Sequence, residues 1–386
     1  MASLQVRQFG PITDSTKIEL TSLVLLLGRQ STGKSSYMKV LSFCCWLEKR
    51  IMISSEDVVS QYTHNNRFVR ELKQFHRLND DYFRAETSII YEGDAVVINY
   101  SGVNGNPKIT RKKDFSKLRH NRKLCYIPSE RNLVSAIQNV DRSYKATDRD
   151  VLFNFIYEWN EAKAPYTSEH PFRLSVTGDF CYVNKSGLDV VRRADGTETP
   201  SFYASSGVQS VMPLDVMTDY ITSRVGQNAP LSIIERNLME DMPADSVRRM
   251  TEYQSASLFI EEPEQNLFPE SQRLVLLRIV ASLNKALKSG SEGSSVFITS
   301  HSPYVLSVIN VLMLAAGVSE AGKNCGDIIS EAYILPSSSI SGYFIGEDGV
   351  FRSVLERDIP MLSGNDLDGV SDWVDEKINA LNSLGC

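Results

Sequence analysis

The stretch Gly28-Arg29-Gln30-Ser31-Thr32-Gly33-Lys34-Ser35 decides how the rest of the chain is read. It fits G-x-x-x-x-G-K-[ST], a loop that joins a strand to a helix and cradles phosphates. The flanks supply both partners. Ser22 to Leu27 (SLVLLL) is a short apolar run that predicts a buried strand, and Lys34 to Lys49 sets Tyr37, Val40, Leu41, Cys44 and Leu47 on one helical face. Gly28 and Gly33 let the backbone bend so that its amides approach phosphate oxygens. The helix beginning at the loop adds free N–H groups and a favourable dipole. Gly28, Gln30, Ser31, Thr32, Gly33, Lys34, Ser35 and Ser36 are therefore the expected nucleotide contacts. Lys34 would reach the β- and γ-phosphates, and Ser35 would hold Mg²⁺.

Composition narrows the class. A chain of 386 residues suffices for one large α/β domain or two ordinary ones. Apolar and charged contents of 42% and 23% are those of a soluble globular protein. A net charge of −6 argues against a surface coated for nucleic acid but leaves room for a local basic patch. Cys44, Cys45, Cys125, Cys181, Cys325 and Cys386 form no C-x-x-C and no zinc-type cluster with histidine, so reduced and mostly buried thiols are expected. No signal-peptide pattern is present, and no apolar run approaches the roughly 20 residues that span a bilayer. The expectation is a cytoplasmic protein with no membrane partner.

Along the chain, Leu4 to Phe9 and Lys17 to Leu20 predict short strands around a turn at Pro11 to Ser15. Glu56 to Arg84 is polar and mixed, with no assignment. Thr87 to Tyr91 and Ala95 to Ser101 predict a β-hairpin around Glu92-Gly93-Asp94. A basic cluster follows, comprising Lys108, Arg111, Lys112, Lys113, Lys117, Arg119, Arg122 and Lys123. Leu124 to Ile127 predicts a strand ending at Pro128, and Ser129-Glu130 suits a helix cap and first turn. Residues 130 to 170 read as mainly helical, and Phe172 to Phe202 as hairpins. Helices are predicted from Ser206 towards Thr222 despite Pro213, across much of 230–250, from Pro269 to Leu287 and from Pro303 to Leu314. Strands are predicted at Ser257 to Ile260, Ser295 to Thr299, Glu331 to Leu335 and Gly342 to Ile345. An amphipathic helix through Val370, Trp373, Val374, Ile378 and Leu381 closes the chain.

Two further strand ends carry chemistry. Leu258-Phe259-Ile260-Glu261-Glu262-Pro263-Glu264 is an apolar strand ending in acids, the form of a Walker B element. Such a strand places Glu261 near the metal, through water, and Glu262 beside the attacking water. Phe297-Ile298-Thr299-Ser300-His301-Ser302-Pro303 is a second strand, ending in a polar set with one histidine. Its place at the C-terminal end of a predicted parallel strand suits His301 to contact the γ-phosphate. Ala204-Ser205-Ser206-Gly207-Val208-Gln209 opens a helix with two hydroxyls and a glycine.

Phosphate loop, then Ser-Ser-Gly-x-Gln, then I-E-E-P-E-x-N-L-x-P, then T-S-H-S-P is an order that resembles ABC-type ATPase domains. More narrowly, it is similar to the non-transporter branch containing SMC, RecF and OLD-family ATPases and the ATPases of bacterial anti-phage operons. The resemblance runs from Gln5 to about Ile309. It implies an α/β P-loop fold of ABC type, with a mixed β-sheet core, an antiparallel β lobe and an inserted helical subdomain. A single domain over 1–386 is expected: an N-terminal lobe with the phosphate loop over 1–128, an inserted helical and hairpin region over 129–204, the signature, Walker B and switch histidine over 205–310, and C-terminal strands and a helix over 311–386. By the same resemblance Ser205, Ser206 and Gly207 form the signature that binds the γ-phosphate of ATP held by a partner subunit. Glu262 matches the catalytic glutamate, His301 the switch histidine and Asn266 the D-loop that crosses the dimer interface. Where the family has a Q-loop glutamine this chain has Tyr126 to Arg131, leaving Glu130 or Ser129 as substitute. Glu261 stands in place of the usual aspartate and Ser206 in place of the first signature glycine, departures that bear on hydrolysis rate rather than on binding.

The resemblance implies ATP and Mg²⁺ as ligands and a homodimer or higher homo-oligomer as the working form. A transporter subunit is disfavoured by the signature and Walker B sequences, and a condensin by the lack of sustained heptads between Lys34 and Ser205. Too little chain follows His301 for a nuclease domain, and Asp366-x-Asp368 lacks a supporting acidic strand end. The leading expectation is an ATP-driven sensor or scaffold of an anti-phage type system that controls a separate effector, a nuclease or toxin. The alternative is a RecF- or SMC-like repair ATPase that clamps DNA, for which Lys112 and Lys113 are the candidate nucleic-acid contacts. A third is a nucleotide-locked assembly with negligible hydrolysis.

Overall fold

A computed structural model describes residues 2–54, 57–137, 150–227, 251–356, 359–364 and 374–380. In chain order the strands are β1 (Ser3–Phe9), β2 (Ile12–Asp14), β3 (Ile18–Glu19), β4 (Leu23–Gly28), β5 (Phe83–Glu92), β6 (Val96–Ser101), β7 (Lys108–Arg111) and β8 (Arg122–Ile127). They continue with β9 (Phe172–Arg173), β10 (Phe180–Lys185), β11 (Leu188–Arg193), β12 (Glu198–Pro200), β13 (Ser255–Glu261), β14 (Ser295–Ser300), β15 (Ile340–Ile345) and β16 (Phe351–Ser353). The longer helices are α1 (Lys34–Ile53), α2 (Arg67–His76), α3 (Val151–Ala162), α4 (Ser206–Ser223), α5 (Pro269–Ser289) and α6 (Pro303–Glu320).

The core sheet has the order β16-β15-β4-β14-β13-β8. Its strands from β15 to β8 are parallel, and β16 pairs antiparallel at one edge. Strands β4 and β13 are buried at every residue, which is why they read as unbroken apolar runs rather than as alternation. The strand period still sorts their side chains. Leu23, Leu25 and Leu27 enter one core with α3, α4, α5 and α6, while Val24 and Leu26 enter a second with α1 and the N-terminal strands. Leu258 and Ile260 against Phe259, and Val296 and Ile298 against Phe297, divide the same way.

An antiparallel lobe, β2-β1-β5-β6-β7 with β3 on β1, covers the α1 side. A smaller antiparallel sheet, β12-β11-β10-β9, lies between α3 and α4 in sequence and shares the first core through Tyr182 and Val191. This is the α/β P-loop fold expected from the sequence, with a mixed core sheet and an antiparallel lobe.

Helix α4 tolerates Pro213 for a local reason. Proline has no N–H to donate to the carbonyl four residues back, and the hydroxyl of Ser135 donates to that carbonyl of Gln209 at 3.2 Å instead. Several expectations need correction. Glu331 to Leu335 is no strand: it forms a 3₁₀ turn at Glu331–Tyr333, because the amide of Asn284 donates to the carbonyls of Glu331, Ala332 and Ile334 and leaves no ladder to join. The expected turn at Pro11 to Ser15 contains β2, zipped to β1 through Arg7 and Asp14. The unassigned Glu56 to Arg84 stretch supplies a short helix, Val58–Tyr62, and then α2.

Among the described residues of 130 to 170, a 3₁₀ turn at Ser129–Asn132 leads into helix at Leu133–Ala136, α3 follows, and the chain beyond Ala162 leaves the helix; residues 138–149 lie outside the described residues. The helix expected over 230–250 lies outside the described residues, as do Asp366, Asp368, Val370, Trp373 and Leu381; residues 374–380 are helical. Among the described residues, α6 is the one helix long and apolar enough for a membrane span by length and composition, with a mean hydropathy of 1.5, an apolar segment longer than the sequence reading had marked. Leu306, Ile309, Leu312 and Met313 pack its inner face into the first core.

Asp215 is buried inside α4, one carboxylate oxygen accepting from the Ser175 amide at 2.6 Å and the other without a partner. Burial raises its pKa from 3.8 to about 6, with Arg278 opposing. Below about pH 4 the group is protonated whether folded or not. Between about 4 and 6 only the unfolded chain ionises, so the folded state loses stability as pH rises through this window. Asp215→Asn should remove that loss, up to ~3 kcal/mol, measured by urea unfolding at pH 4.5 and 7. Equal pH dependence in both proteins would discard this assignment.

Candidate active site

The phosphate loop leaves β4 through residues that need unusual backbone. Gly28, Ser31 and Gly33 have φ of 149°, 63° and 111°. A Cβ at Gly28 would lie 2.7 Å from the Ile345 carbonyl, and one at Gly33 would lie 2.8 Å from Ile12. The loop therefore runs too close to β15 and β2 for any side chain at either glycine. The Thr32 hydroxyl donates to the Arg29 carbonyl at 2.9 Å and stiffens the turn. The Lys34 ammonium folds over the loop, donating to the carbonyls of Gly28 at 2.7 Å and Arg29 at 2.6 Å. Burial lowers its pKa, while Glu262 and Glu264 act in the opposite sense. Arg29, Gln30, Ser31 and Thr32 line a cleft of about 610 Å³ with Pro11, His301 and Glu347.

The two acids at the end of β13 sit in different surroundings. Glu261 is buried, and its two oxygens accept from the Tyr126 hydroxyl at 2.6 Å and the Ser129 amide at 3.1 Å. Glu262 has φ of 42°, uncommon outside glycine, and its amide donates to the Thr299 carbonyl at 3.0 Å. That turn brings the Glu262 carboxylate to 3.7 Å from Nδ1 of His301. Glu264 holds the histidine's loop: one oxygen accepts from the Ser300 hydroxyl at 2.7 Å and from the His301 amide at 2.9 Å. Glu262 thus lies beside His301, which lines the cleft, and the charges of Glu262 and Glu264 act on Lys34.

Ser205 and Ser206 are exposed at the start of α4. Ser205 makes no side-chain cap to its own helix, so the first amides of α4 keep their donors. Gly207 packs on the D-loop: a Cβ there would lie 3.0 Å from the Asn266 carbonyl. Asn266 is exposed with φ of 61°. Tyr203 and Phe268, 69% and 75% exposed, flank the signature and the D-loop in sequence.

Glu130, the candidate Q-loop substitute, is exposed and accepts from the Ser129 hydroxyl at 3.0 Å. Its neighbour Arg131 is the residue that sequence reading passed over. It is fully buried, and burial pulls its pKa down to about 10, so the guanidinium stays charged at neutral pH. A single arginine after a strand-proline turn carries no periodic signal of burial. Glu264 and Tyr126 were quoted in motifs, yet their roles depend on partners remote in sequence.

The basic segment is not a cluster of free cations. Arg122 pairs with Asp94 at 2.7 Å, and buried Lys123 pairs with Glu158 at 2.8 Å. The Lys112 ammonium donates to the Gly93 carbonyl, Arg119 donates to the Met52 carbonyl, and Arg111 lies over the Phe115 ring. Lys113 is exposed. Most of these charges are therefore occupied in holding strands and helices together.

With this geometry in hand, comparison is informative. The AAA ATPase domain family matches residues 108–306, just over half of the chain. The chain belongs to that family. The matched stretch takes in the signature, both acids of β13 and His301, and begins downstream of the phosphate loop. Similar solved structures include the SMC head domain from Thermotoga maritima, at 9% identity and a TM-score of 0.36, covering 91% of this chain and 97% of that one. The Smc head domain with an extended coiled coil bound to the C-terminal domain of ScpA, derived from Pyrococcus furiosus, has 11% identity and a TM-score of 0.37, with coverage of 98% and 100%. The recombination mediator protein RecF has 10% identity and a TM-score of 0.36, with coverage of 91% and 97%. No curated protein matches the chain.

In this AAA ATPase, Lys34→Ala should weaken binding of a fluorescent ATP analogue by roughly 10- to 100-fold, the range for losing a charged hydrogen bond to phosphate. The melting temperature without nucleotide serves as the folding control. An unchanged affinity would remove Lys34 from the site.

Proposed function

We propose that this AAA ATPase binds ATP at its phosphate loop and hydrolyses it in a closed pair of chains, each lending its signature to the other's nucleotide. One observation carries the reading. The signature serines are exposed, and Ser205 makes no side-chain cap to its own helix, so the first amides of α4 keep their donors. A γ-phosphate needs such donors, and a second copy can bring them.

The residues fit the ligands. The loop's turned backbone and the first amides of α1 suit a polyphosphate, and the Lys34 ammonium lies directly over that backbone. Mg²⁺ would be held by Ser35, with Glu261, whose oxygens already accept from Tyr126 and Ser129, reaching it through water. When bound, the ion supplies charge neutralisation between the β- and γ-phosphates.

Glu262 is the carboxylate that Tyr126 and Ser129 leave unengaged, so it can orient water and take its proton. The water oxygen bonds to the γ-phosphorus, the bond from that phosphorus to the bridging oxygen breaks, and ADP and phosphate leave. His301 has its Nδ1 3.7 Å from the Glu262 carboxylate, which supports a role in sensing the γ-phosphate. Burial of Tyr203 and Phe268 on closure would add apolar area beside the polar signature.

The output we propose is control of a separate effector, nuclease or toxin, in keeping with the motif order of anti-phage ATPases. A DNA clamp would call on Lys108 to Lys123, where Arg111, Lys112, Arg119, Arg122 and Lys123 already have protein partners.

Glu262→Gln tests the reading. With ATP and Mg²⁺ it should run as a stable dimer in light scattering, retain ATP, and release phosphate about 10²- to 10⁴-fold more slowly than wild type. A variant that stays monomeric with ATP sinks the shared site. Wild type that dimerises without releasing phosphate would point to a nucleotide-locked assembly.

A further inference from the structure

Arg131 is 0% exposed, and all four of its hydrogen bonds go to main-chain carbonyls. Its Nη1 donates to the carbonyls of Pro128 at 3.3 Å and Glu261 at 2.7 Å. Its Nη2 donates to the carbonyl of Glu262 at 2.7 Å, and its Nε to that of Ser210 at 3.1 Å. These carbonyls belong to three segments: the exit of β8, the acidic end of β13, and the first turns of α4 behind the signature. A buried charge is costly unless it is well paired. Here it is hydrogen-bonded to backbone carbonyls, with the carboxylates of Glu264, Glu261 and Glu262 adding their charge nearby, and the planar fork fixes the angles among the segments that supply those carbonyls.

We propose that Arg131 is a positioning residue that links the signature helix of a chain to the Glu262 of that same chain, so that engaging one nucleotide adjusts hydrolysis of the other. The inference rests on the shared-site reading above. In a closed pair, the signature of one chain meets the nucleotide held by its partner, while Glu262 acts on the nucleotide of its own chain. Movement at Ser206 reaches Ser210 along one turn of α4. From there it reaches the carbonyls of Glu261 and Glu262 through a single guanidinium. The uncommon φ of Glu262 sits at the end of that path, where a small rotation redirects the carboxylate. Arg131 touches none of the reacting atoms, and its effect is on geometry.

Arg131→Lys keeps the charge and loses the fork. The wild type should show ATP hydrolysis with a Hill coefficient above 1. The variant should lower kcat by about 100-fold, as for a displaced catalytic group, bring the Hill coefficient to about 1, and leave single-chain affinity for the fluorescent ATP analogue within about threefold. A purely structural role would weaken binding and melting temperature together and leave no such split.

A second measurement leaves Arg131 intact. In a purified mixed dimer, one chain carries Ser206→Arg and the other Glu262→Gln. This retains one complete site, built from the first chain's loop and glutamate and the second chain's signature. If Arg131 transmits, that site should turn over well below half the wild-type rate, because its own chain's signature is blocked. Turnover at half the wild-type rate, or an Arg131→Lys enzyme with unchanged kcat and Hill coefficient, overturns the inference. Should Glu262→Gln fail to dimerise with ATP, the shared site itself falls, a separate outcome from an intact pair whose sites ignore each other.

Discussion

Everything at the cleft depends on β4 being pinned between β14 and β15 by parallel hydrogen-bond ladders. All of Leu23 to Gly28 is buried, and Leu23 to Leu27 send alternate side chains into two separate cores. That double burial fixes where the strand ends. The close pass of Gly28 by the Ile345 carbonyl then leaves the loop only one way to turn. The same register brings the ends of β13 and β14 alongside, so Glu262 and His301 arrive at the loop through sheet pairing rather than through local sequence.

The second organising constraint is polar. Three buried or half-buried carboxylates follow one another at the end of β13, and each is handled differently. Tyr126 and Ser129 hold Glu261, the switch loop's amide and hydroxyl hold Glu264, and Glu262 is turned towards His301. Environments that differ this much let neighbouring acids of one type take different roles. The carbonyls of Glu261 and Glu262 are joined by Arg131 to the helix that begins at Ser206. The site is thus braced by backbone as much as by side chains.

Much of this was legible beforehand where burial shows itself locally. The runs around Leu25, Phe259 and Phe297 announce strands because both of their faces are covered. Ser206 to Ser223 is legible as a helix, yet the reason Pro213 is harmless lies in Ser135, which no local pattern indicates. The failures share one cause, partners distant in the chain. Asn284 converts a stretch that looks like a strand into a 3₁₀ turn. Asp94 and Glu158 convert apparent surface cations into internal ties. Arg131 was invisible because one charged residue in a polar stretch gives no sign that three segments will close around it.

The Lys34 ammonium is a ligand of its own loop. It rests on two neutral carbonyls, those of Gly28 and Arg29, so an incoming molecule has to win the ammonium from acceptors already in place. Replacing neutral oxygens with ionised ones becomes more favourable as the charge offered increases. A single phosphate offers fewer ionised oxygens than a chain of three. A loop braced in this way would grade ligands by their anionic charge before their shape is tested.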